Sequence, residues 1–474
     1  PAAVHGHVVP TGLCGRRQAQ SRSSPVHEIE SALSQTRAAA PGTSASIVDM
    51  RLKRDIGFFG AAFIVLNSVI GAGIFALPGK IAVSAGMASP WLFLIVGILF
   101  LSIILTFAEL ASYYDQTGGP VLYARDAFGP LAGFGTGWLI FLARMTAFAA
   151  NANVMAIYLA SLSDVFATEF ARMAIITLVT VGLTWANVLG VKDGVRTMGV
   201  FTLLKVVPLL LLVLLGLQHV TGATLVPADF QIDNIGGTTL LLIYAYVGFE
   251  TVGVTAGETS KPRRTIPIAL VRTLLLTGLL YFFIVLVYIS VIPAADYANA
   301  TLVDVGRNLA GPAGALVITF AAVFSIGGNL ASSILGAPRL LFSMAEQRLM
   351  PRWFGNVHKK YATPDRAIIV MGAMALVLGL SSNFVDLAIG SSVVRLLGYI
   401  ICIASLPVIR HNATVEKSER AWRLRGGYAI PAVALLICMW LIGQSNGEDW
   451  IKVSVLLLIG LGLYLVEKWY YARK

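Results

Sequence analysis

From Ile56 onward the chain is a succession of apolar runs, each about 17 to 30 residues long, set between short and mostly basic loops. At 1.5 Å of rise per residue, a run of that length crosses the roughly 30 Å hydrocarbon core of a bilayer as a helix. The runs fall at about 56–82, 88–113, 131–162, 171–190, 195–217, 237–259, 267–292, 312–345, 366–382, 385–409, 428–444 and 450–470, which predicts twelve spans. Composition agrees. Hydrophobic residues make up 57% and charged residues 12%, about half the charged share of a soluble domain. A disordered chain and an ordinary soluble enzyme are excluded on that ground. The net charge of +11 lies between the apolar runs rather than on one soluble face, so it reads as membrane orientation and not as nucleic-acid binding. Cys14, Cys402 and Cys438 have no metal-ligand spacing, and no disulfide framework, metal site or cofactor is expected.

Numbering the loops alternately from the inside puts Arg51, Lys53, Arg54, Arg125, Lys192, Arg196, Lys261, Arg263, Arg264, Arg348, Arg352, Lys359, Lys360, Arg366, Arg410, Lys417, Arg420, Arg423, Arg425, Lys468, Arg473 and Lys474 on one side. Only Lys80, Arg172, Arg307 and Lys452 fall on the other. One missed span would scramble that partition, so the expectation is a multi-pass protein of the plasma (inner) membrane with both termini cytoplasmic. Residues 1–49 are rich in Ala, Ser, Pro, Arg and Gln and lack an apolar run. They are expected to be a disordered or non-native extension, with the transporter domain at 50–474.

Two spans carry signs of interruption. Span 1 contains Asn67-Ser-Val-Ile-Gly-Ala-Gly-Ile-Phe75, with two glycines near its centre. Span 6 contains Tyr244-Ala-Tyr-Val-Gly-Phe-Glu250, with a glycine and a carboxylate. Glycine weakens a helix, although one alone is often a close-packing site. Interrupted segments five spans apart point to an inverted-repeat transporter. An unwound stretch frees peptide N–H and C=O groups that are tolerated in a bilayer only where they line a cavity. A half-helix N-terminus suits a carboxylate and free carbonyls suit an ammonium. Backbone at two breaks can therefore hold the common part of an amino acid.

These residues resemble the amino acid–polyamine–organocation (APC) transporters. Ile70-Gly-Ala-Gly-Ile-Phe75 is similar to the family's first-helix signature, and Ala108-Glu-Leu-Ala111 with Gly118-Gly-Pro-Val-Leu-Tyr123 to the stretch after helix 2. The segment 244–250, then Glu258-Thr-Ser-Lys-Pro-Arg-Arg-Thr-Ile-Pro267, is similar to helix 6 and its following loop. Asn329-Leu-Ala-Ser-Ser-Ile334, Pro338-Arg339, Leu349-Met-Pro-Arg-Trp353 and Thr363-Pro364 match later family segments in order. The resemblance implies an all-α, LeuT-type fold with inverted repeats at about 56–217 and 237–409 and appended helices at about 428–470. It also implies that N–H groups near Gly71, Ala72 and Gly73 receive the substrate carboxylate. Carbonyls near Val69, Tyr244, Ala245 and Val247 receive the amino group. Tyr244 and Tyr246 would gate the pocket, with ordinary aromatic packing as the alternative for Tyr246.

Charges inside a bilayer are expensive and mark function by default. Lys205 lies about nine residues past Arg196, on the order of 14 Å into the membrane. The position resembles a helix 5 lysine of proton-coupled family members, whose ammonium stands where others bind sodium between helices 1 and 8. Lys205 is therefore expected to carry the coupled proton, the alternative being a permanently paired lysine. Ser332 and Ser333 match the sodium-binding region of helix 8, and a sodium ion there would be repelled by Lys205. Glu250 follows the break of span 6 and is a second protonation site or a counter-charge. Arg144 and Arg395 fall mid-span and outside the family pattern. Arg144 either favours an anionic side chain in the pocket or pairs with Glu250 or Glu109. Structural pairing is the expectation for both arginines.

The predicted function is import of an amino acid with protons by alternating access. The alternatives are an amino acid or amine exchanger and, more remotely, a membrane solute sensor. An enzyme is not expected: no His-Glu-x-x-His, Gly-x-Ser-x-Gly or Gly-x-x-x-x-Gly-Lys motif occurs. The partners expected are the amino acid, protons and the lipid bilayer. Neither the carried amino acid nor an oligomeric state can be read from the sequence.

Overall fold

The computed structural model describes residues 54, 56–116, 118–190, 194–226, 232–414 and 421–472. The predicted extension at 1–49 lies outside the described residues, as do Arg51, Lys53, Lys192, Lys417, Arg420, Arg473 and Lys474 of the loop charges. The described residues are almost wholly helical, and no strand occurs among them. Their one β-bridge pairs Ile56 with Thr259, at the start of span 1 and just past span 6.

Every predicted span is a helix or a broken helix. Span 1 is α1 (Phe58–Val69) and α2 (Gly73–Ala85), and α3 (Ser89–Ser112) is span 2. A short helix α4 (Pro120–Phe128), not anticipated from the sequence, precedes span 3, α5 (Pro130–Ala160). Its Gly119-Pro120 entry is a usual helix start, but at nine residues it is too short to register as a span. Spans 4 and 5 are α6 (Glu169–Leu189) and α7 (Gly194–Gly216), followed by the single turn α8 (Gly222–Leu225). Span 6 is α9 (Ile235–Ile243) and the one-turn α10 (Thr251–Val254). Span 7 is α11 (Pro262–Val291) and span 8 lies in α12 (Leu302–Glu346). Spans 9 to 12 are α13 (Asp365–Ser381), α14 (Phe384–Asn412), α15 (Ala429–Ile442) and α16 (Gly447–Ala472). The predicted start of span 8 at 312 marks a kink rather than an end. Ala310 and Gly311 leave helical geometry, Pro312 restarts it, and a further helical segment from Leu302 precedes them. This is the all-α polytopic arrangement that the resemblance implies.

Burial sorts the helices by layer. The apolar window of α5 is 94% buried, whereas those of α6 and α16 are 22% and 17% buried. Span 3 is thus the central pillar, packed on α12 and α14. Spans 4 and 12 show Leu178, Trp185 and Leu458 to the outside. An apolar exterior of that kind is stable only against lipid tails.

One ion pair ties the periphery together. Glu109 of α3 is fully buried, and its two carboxylate oxygens accept from Arg410 Nε and Nη2 of α14, both at 2.7 Å. The Leu424 N–H adds a third hydrogen bond at 3.0 Å. Arg410 ends a span, but its long side chain reaches back into the bundle instead of joining the loop charges. Removing one partner of such a pair strands the other, at a cost of about 3–5 kcal/mol. Glu109→Ala is therefore expected to lower the melting temperature of the purified protein clearly. Glu169→Ala, which breaks the exposed pair with Arg172, is expected to leave it in place. Thermal unfolding in detergent checks both.

Candidate functional site

The break of span 1 has a defined geometry. α1 stops at Val69, Ile70 turns out of the helix at ψ 83°, and α2 restarts at Gly73. The Gly71 N–H folds back onto the Val69 carbonyl at 2.9 Å, and the Tyr281 hydroxyl also donates to that carbonyl at 3.3 Å. Those two groups, expected to face a ligand, are therefore already engaged. The N–H groups of Ala72, Gly73 and Ile74 make no hydrogen bond among the described residues, as the first turn of a helix must leave them. The unpaired N–H groups thus run over 72–74, whereas the expectation placed the substrate carboxylate near those of 71–73.

Span 6 opens further than its single glycine suggests. α9 ends at Ile243, and regular helix resumes only at Thr251. Between them, no hydrogen bond among the described residues reaches the carbonyls of Tyr244, Ala245 or Val247. Gly248 sits at φ +105°, and a Cβ there would come within 2.5 Å of the Ser68 carbonyl oxygen. A Cβ on Gly73 would come within 2.8 Å of the Ala245 Cα. The two breaks thus cross backbone to backbone, and the glycines mark the crossing points.

A cavity of about 40 Å³ lies against this crossing. Ala72, Gly73, Val247 and Gly248 line it. Ser332 and Ser333 of α12 line it too, with Arg144, Glu250 and Arg395. A larger cavity of about 390 Å³ opens on the Lys80 side and is lined partly by Phe384. Tyr244, which lines the inner cavity, meets the Phe384 ring edge to face with centroids 5.6 Å apart. Phe384 carried no sequence signal. Tyr246 points elsewhere: its hydroxyl donates to the Phe93 carbonyl at 2.7 Å, and its ring packs on Phe100 and Tyr281. Tyr246 is packed as an aromatic behind the break and is not among the residues lining the cavity.

Lys205 is fully buried. Its ammonium donates to the Ile70 carbonyl at 2.8 Å and lies 3.4 Å from that of Asn67. No described carboxylate forms an ion pair with it; its partners are the carbonyls freed by the break. The hydroxyl that shares the Ile70 carbonyl belongs to Ser325, at 3.1 Å, and not to Ser332 or Ser333. Two polar residues missed by the sequence reading complete the support. Asn329 Nδ2 donates to the Asn67 and Ser68 carbonyls at 3.2 and 3.0 Å. Asn151 Nδ2 donates to Asn329 Oδ1 at 2.7 Å, and the Tyr244 hydroxyl donates to Asn151 Oδ1 at 2.8 Å. Their signal is an amide inside an apolar run.

Glu250 faces both mid-span arginines. Its Oε1 lies 3.9 Å from Arg144 Nη2 and 3.6 Å from Arg395 Nη1. Its Oε2 accepts from the Tyr399 hydroxyl at 2.7 Å and the Gly248 N–H at 3.1 Å. Arg144 also donates to the Thr251 hydroxyl. Both arginines therefore stand beside Glu250, and Glu109 belongs to Arg410. Among the described residues, no cluster of His, Cys, Asp or Glu is suited to hold a metal ion.

A family model described as amino acid permease matches residues 56–460. The chain is 28% identical to the serine/threonine exchanger SteT of Bacillus subtilis over 431 residues, covering 87% of this chain and 96% of that protein. It is 27% identical to the branched-chain amino acid permease BcaP of the same organism, covering 89% and 94%. It is 24% identical to a methylthioribose transporter of that bacterium, covering 91% and 96%.

The crossing makes a sharp demand on Gly248. Gly248→Ala is expected to abolish transport and loosen the fold, because backbone blocks the new Cβ and φ is positive. Gly390→Ala, where a Cβ meets nothing within 4 Å, is expected to retain wild-type uptake. Uptake normalised to folded protein in membranes checks the contrast.

Proposed function

The chain belongs to the amino acid permease family of the APC superfamily, and we propose that it imports an amino acid together with protons across the plasma membrane by alternating access. Its relatives are transporters, and it is not an enzyme. The observation that carries the reading is the pair of crossing breaks. Among the described residues they leave N–H groups at 72–74 and carbonyls at 244, 245 and 247 unpaired, and Ala72, Gly73, Tyr244 and Val247 of these line the cavity. A zwitterion offers the complementary charges a few ångströms apart. The names of two relatives, a serine/threonine exchanger and a branched-chain amino acid permease, support an amino acid as cargo.

Lys205 is the proposed proton carrier. A protonated Lys205 holds the Ile70 and Asn67 carbonyls by charge, and loss of the proton weakens that hold at the root of the break. Arginine keeps its proton, so Arg144 and Arg395 are not coupling residues. Glu250 acts as their counter-charge. One proton entering down 100 mV supplies about 2.3 kcal/mol, enough to concentrate a neutral solute about fifty-fold. Tyr244 with Phe384 forms the partition between the two cavities. In this reading the Lys80 face is extracellular, both termini are cytoplasmic, and the repeats run over about 56–217 and 237–409.

Exchange is the second reading, favoured by the name of the serine/threonine exchanger. Liposomes containing the purified protein separate the two. Proton coupling predicts saturable amino acid uptake into empty liposomes that rises with an inward proton gradient, and loss of that dependence in Lys205→Ala. Uptake only into preloaded liposomes, whatever the gradient, establishes exchange. Saturable uptake of other solutes but of no amino acid refutes the cargo class.

A further inference from the structure

Arg144 and Arg395 are 7% and 3% exposed, and both line the cavity at the crossing breaks. Among the described residues they share a single carboxylate. One oxygen of Glu250 is already filled by Tyr399 and Gly248. The other faces the arginines at 3.9 and 3.6 Å and makes no hydrogen bond among the described residues. The Nε groups of both arginines are likewise unpartnered. Beyond its contact with Glu250, Arg395 makes no hydrogen bond to a described residue. The molecule holds its own comparison. Arg410 and Glu109 close a two-pronged contact at 2.7 Å with a backbone donor added, as a settled buried pair should. The cavity cluster is not settled in that way. Two guanidiniums against one carboxylate leave a net positive charge on the wall, and Lys205 behind the break adds no negative charge to offset it. A buried charge without a partner is costly.

We infer that the transported amino acid bears an anionic side chain, whose carboxylate is received by Arg395 and Arg144 while its α-carboxylate and α-ammonium engage the two breaks. This rests on amino acid transport as proposed above and narrows the substrate to the aspartate and glutamate class. Arg395 is the principal specificity residue, because it has the most unspent donors. Arg144 is partly occupied by Thr251. An amide side chain offers a neutral oxygen of similar size, so it fits the space without meeting the charge.

The test is uptake by the full chain in liposomes at neutral pH, comparing L-aspartate and L-glutamate with L-asparagine, L-glutamine, L-serine and L-leucine. The inference expects the acids to be favoured over their amides by about tenfold or more. Arg395→Gln is expected to lower uptake of the acids and move the acid-to-amide ratio toward the amides. Amides or leucine carried as well as the acids would overturn the inference and leave amino acid transport standing. Transport of no amino acid would overturn both. Should Arg395→Gln fail to fold, competition by unlabelled glutamate against glutamine on the wild-type protein decides.

Discussion

The structure depends on two interrupted helices touching through bare backbone in the middle of a bilayer. Hydrocarbon offers no hydrogen bonds, so each peptide group released by a break needs an internal partner or a cavity. The two kinds of released group are treated differently. The carbonyls of Asn67, Ser68 and Ile70 at the end of α1 are all capped by side chains, from Lys205, Ser325 and Asn329. The N–H groups that begin α2 and the carbonyls of 244, 245 and 247 have no partner among the described residues, and Ala72, Gly73, Tyr244 and Val247 line the cavity. One face of the crossing is closed by protein side chains, and the other meets the cavity.

The caps come from two spans, and a third joins them to span 6, which links the parts of the bundle. Lys205 stands on span 5, Ser325 and Asn329 on span 8, and Asn151 on span 3 joins Asn329 to Tyr244 of span 6. A shift of span 8 against span 1 would break contacts to three carbonyls at once. Rearrangement of the crossing is therefore a collective event, as rigid-body exchange between two arrangements requires. Bulky apolar neighbours fill the rest. Phe100 and Phe249 pack against Tyr246 or Tyr399 behind span 6, so the unwound segment has a firm back and a polar front.

Much of this can be read from residues alone, and the reasons for the remainder are local. Span positions follow from apolar length, which needs no tertiary knowledge. The break of span 1 is announced by Gly71 and Gly73. The extent of the span 6 break is not, because nothing in Tyr-Ala-Tyr-Val resists helix formation; Gly248 must pass Ser68, and Glu250 reaches back to the Gly248 N–H. The difference between Tyr244 and Tyr246 is the direction of two side chains on irregular backbone, which no periodicity supplies. Ser325 and Ser332 are seven residues apart, about 10 Å along a helix. Only the axial position of span 8 against span 1 decides which of them meets Lys205. Asn151 and Asn329 were visible as amides in apolar runs, but an amide carries no charge to single it out.

The two charged clusters stand on opposite sides of the same few peptides. Lys205 holds Ile70 from behind, and the N–H groups toward the cavity begin two residues later. In the proposed mechanism, a proton leaving Lys205 would act on the backbone that would hold the substrate, without any longer relay. The charge of the cargo then decides what the gradient can do. A neutral zwitterion entering with one proton moves net charge, and the membrane potential drives it. A monoanion entering with one proton moves none, so the pH difference alone does the work, at about 1.4 kcal/mol per unit. The excess of guanidinium over carboxylate at the cavity wall bears on energetics as well as on recognition. On the proposed reading it would favour the cargo whose import with one proton escapes opposition by an inside-negative potential, which a bare anion would have to climb.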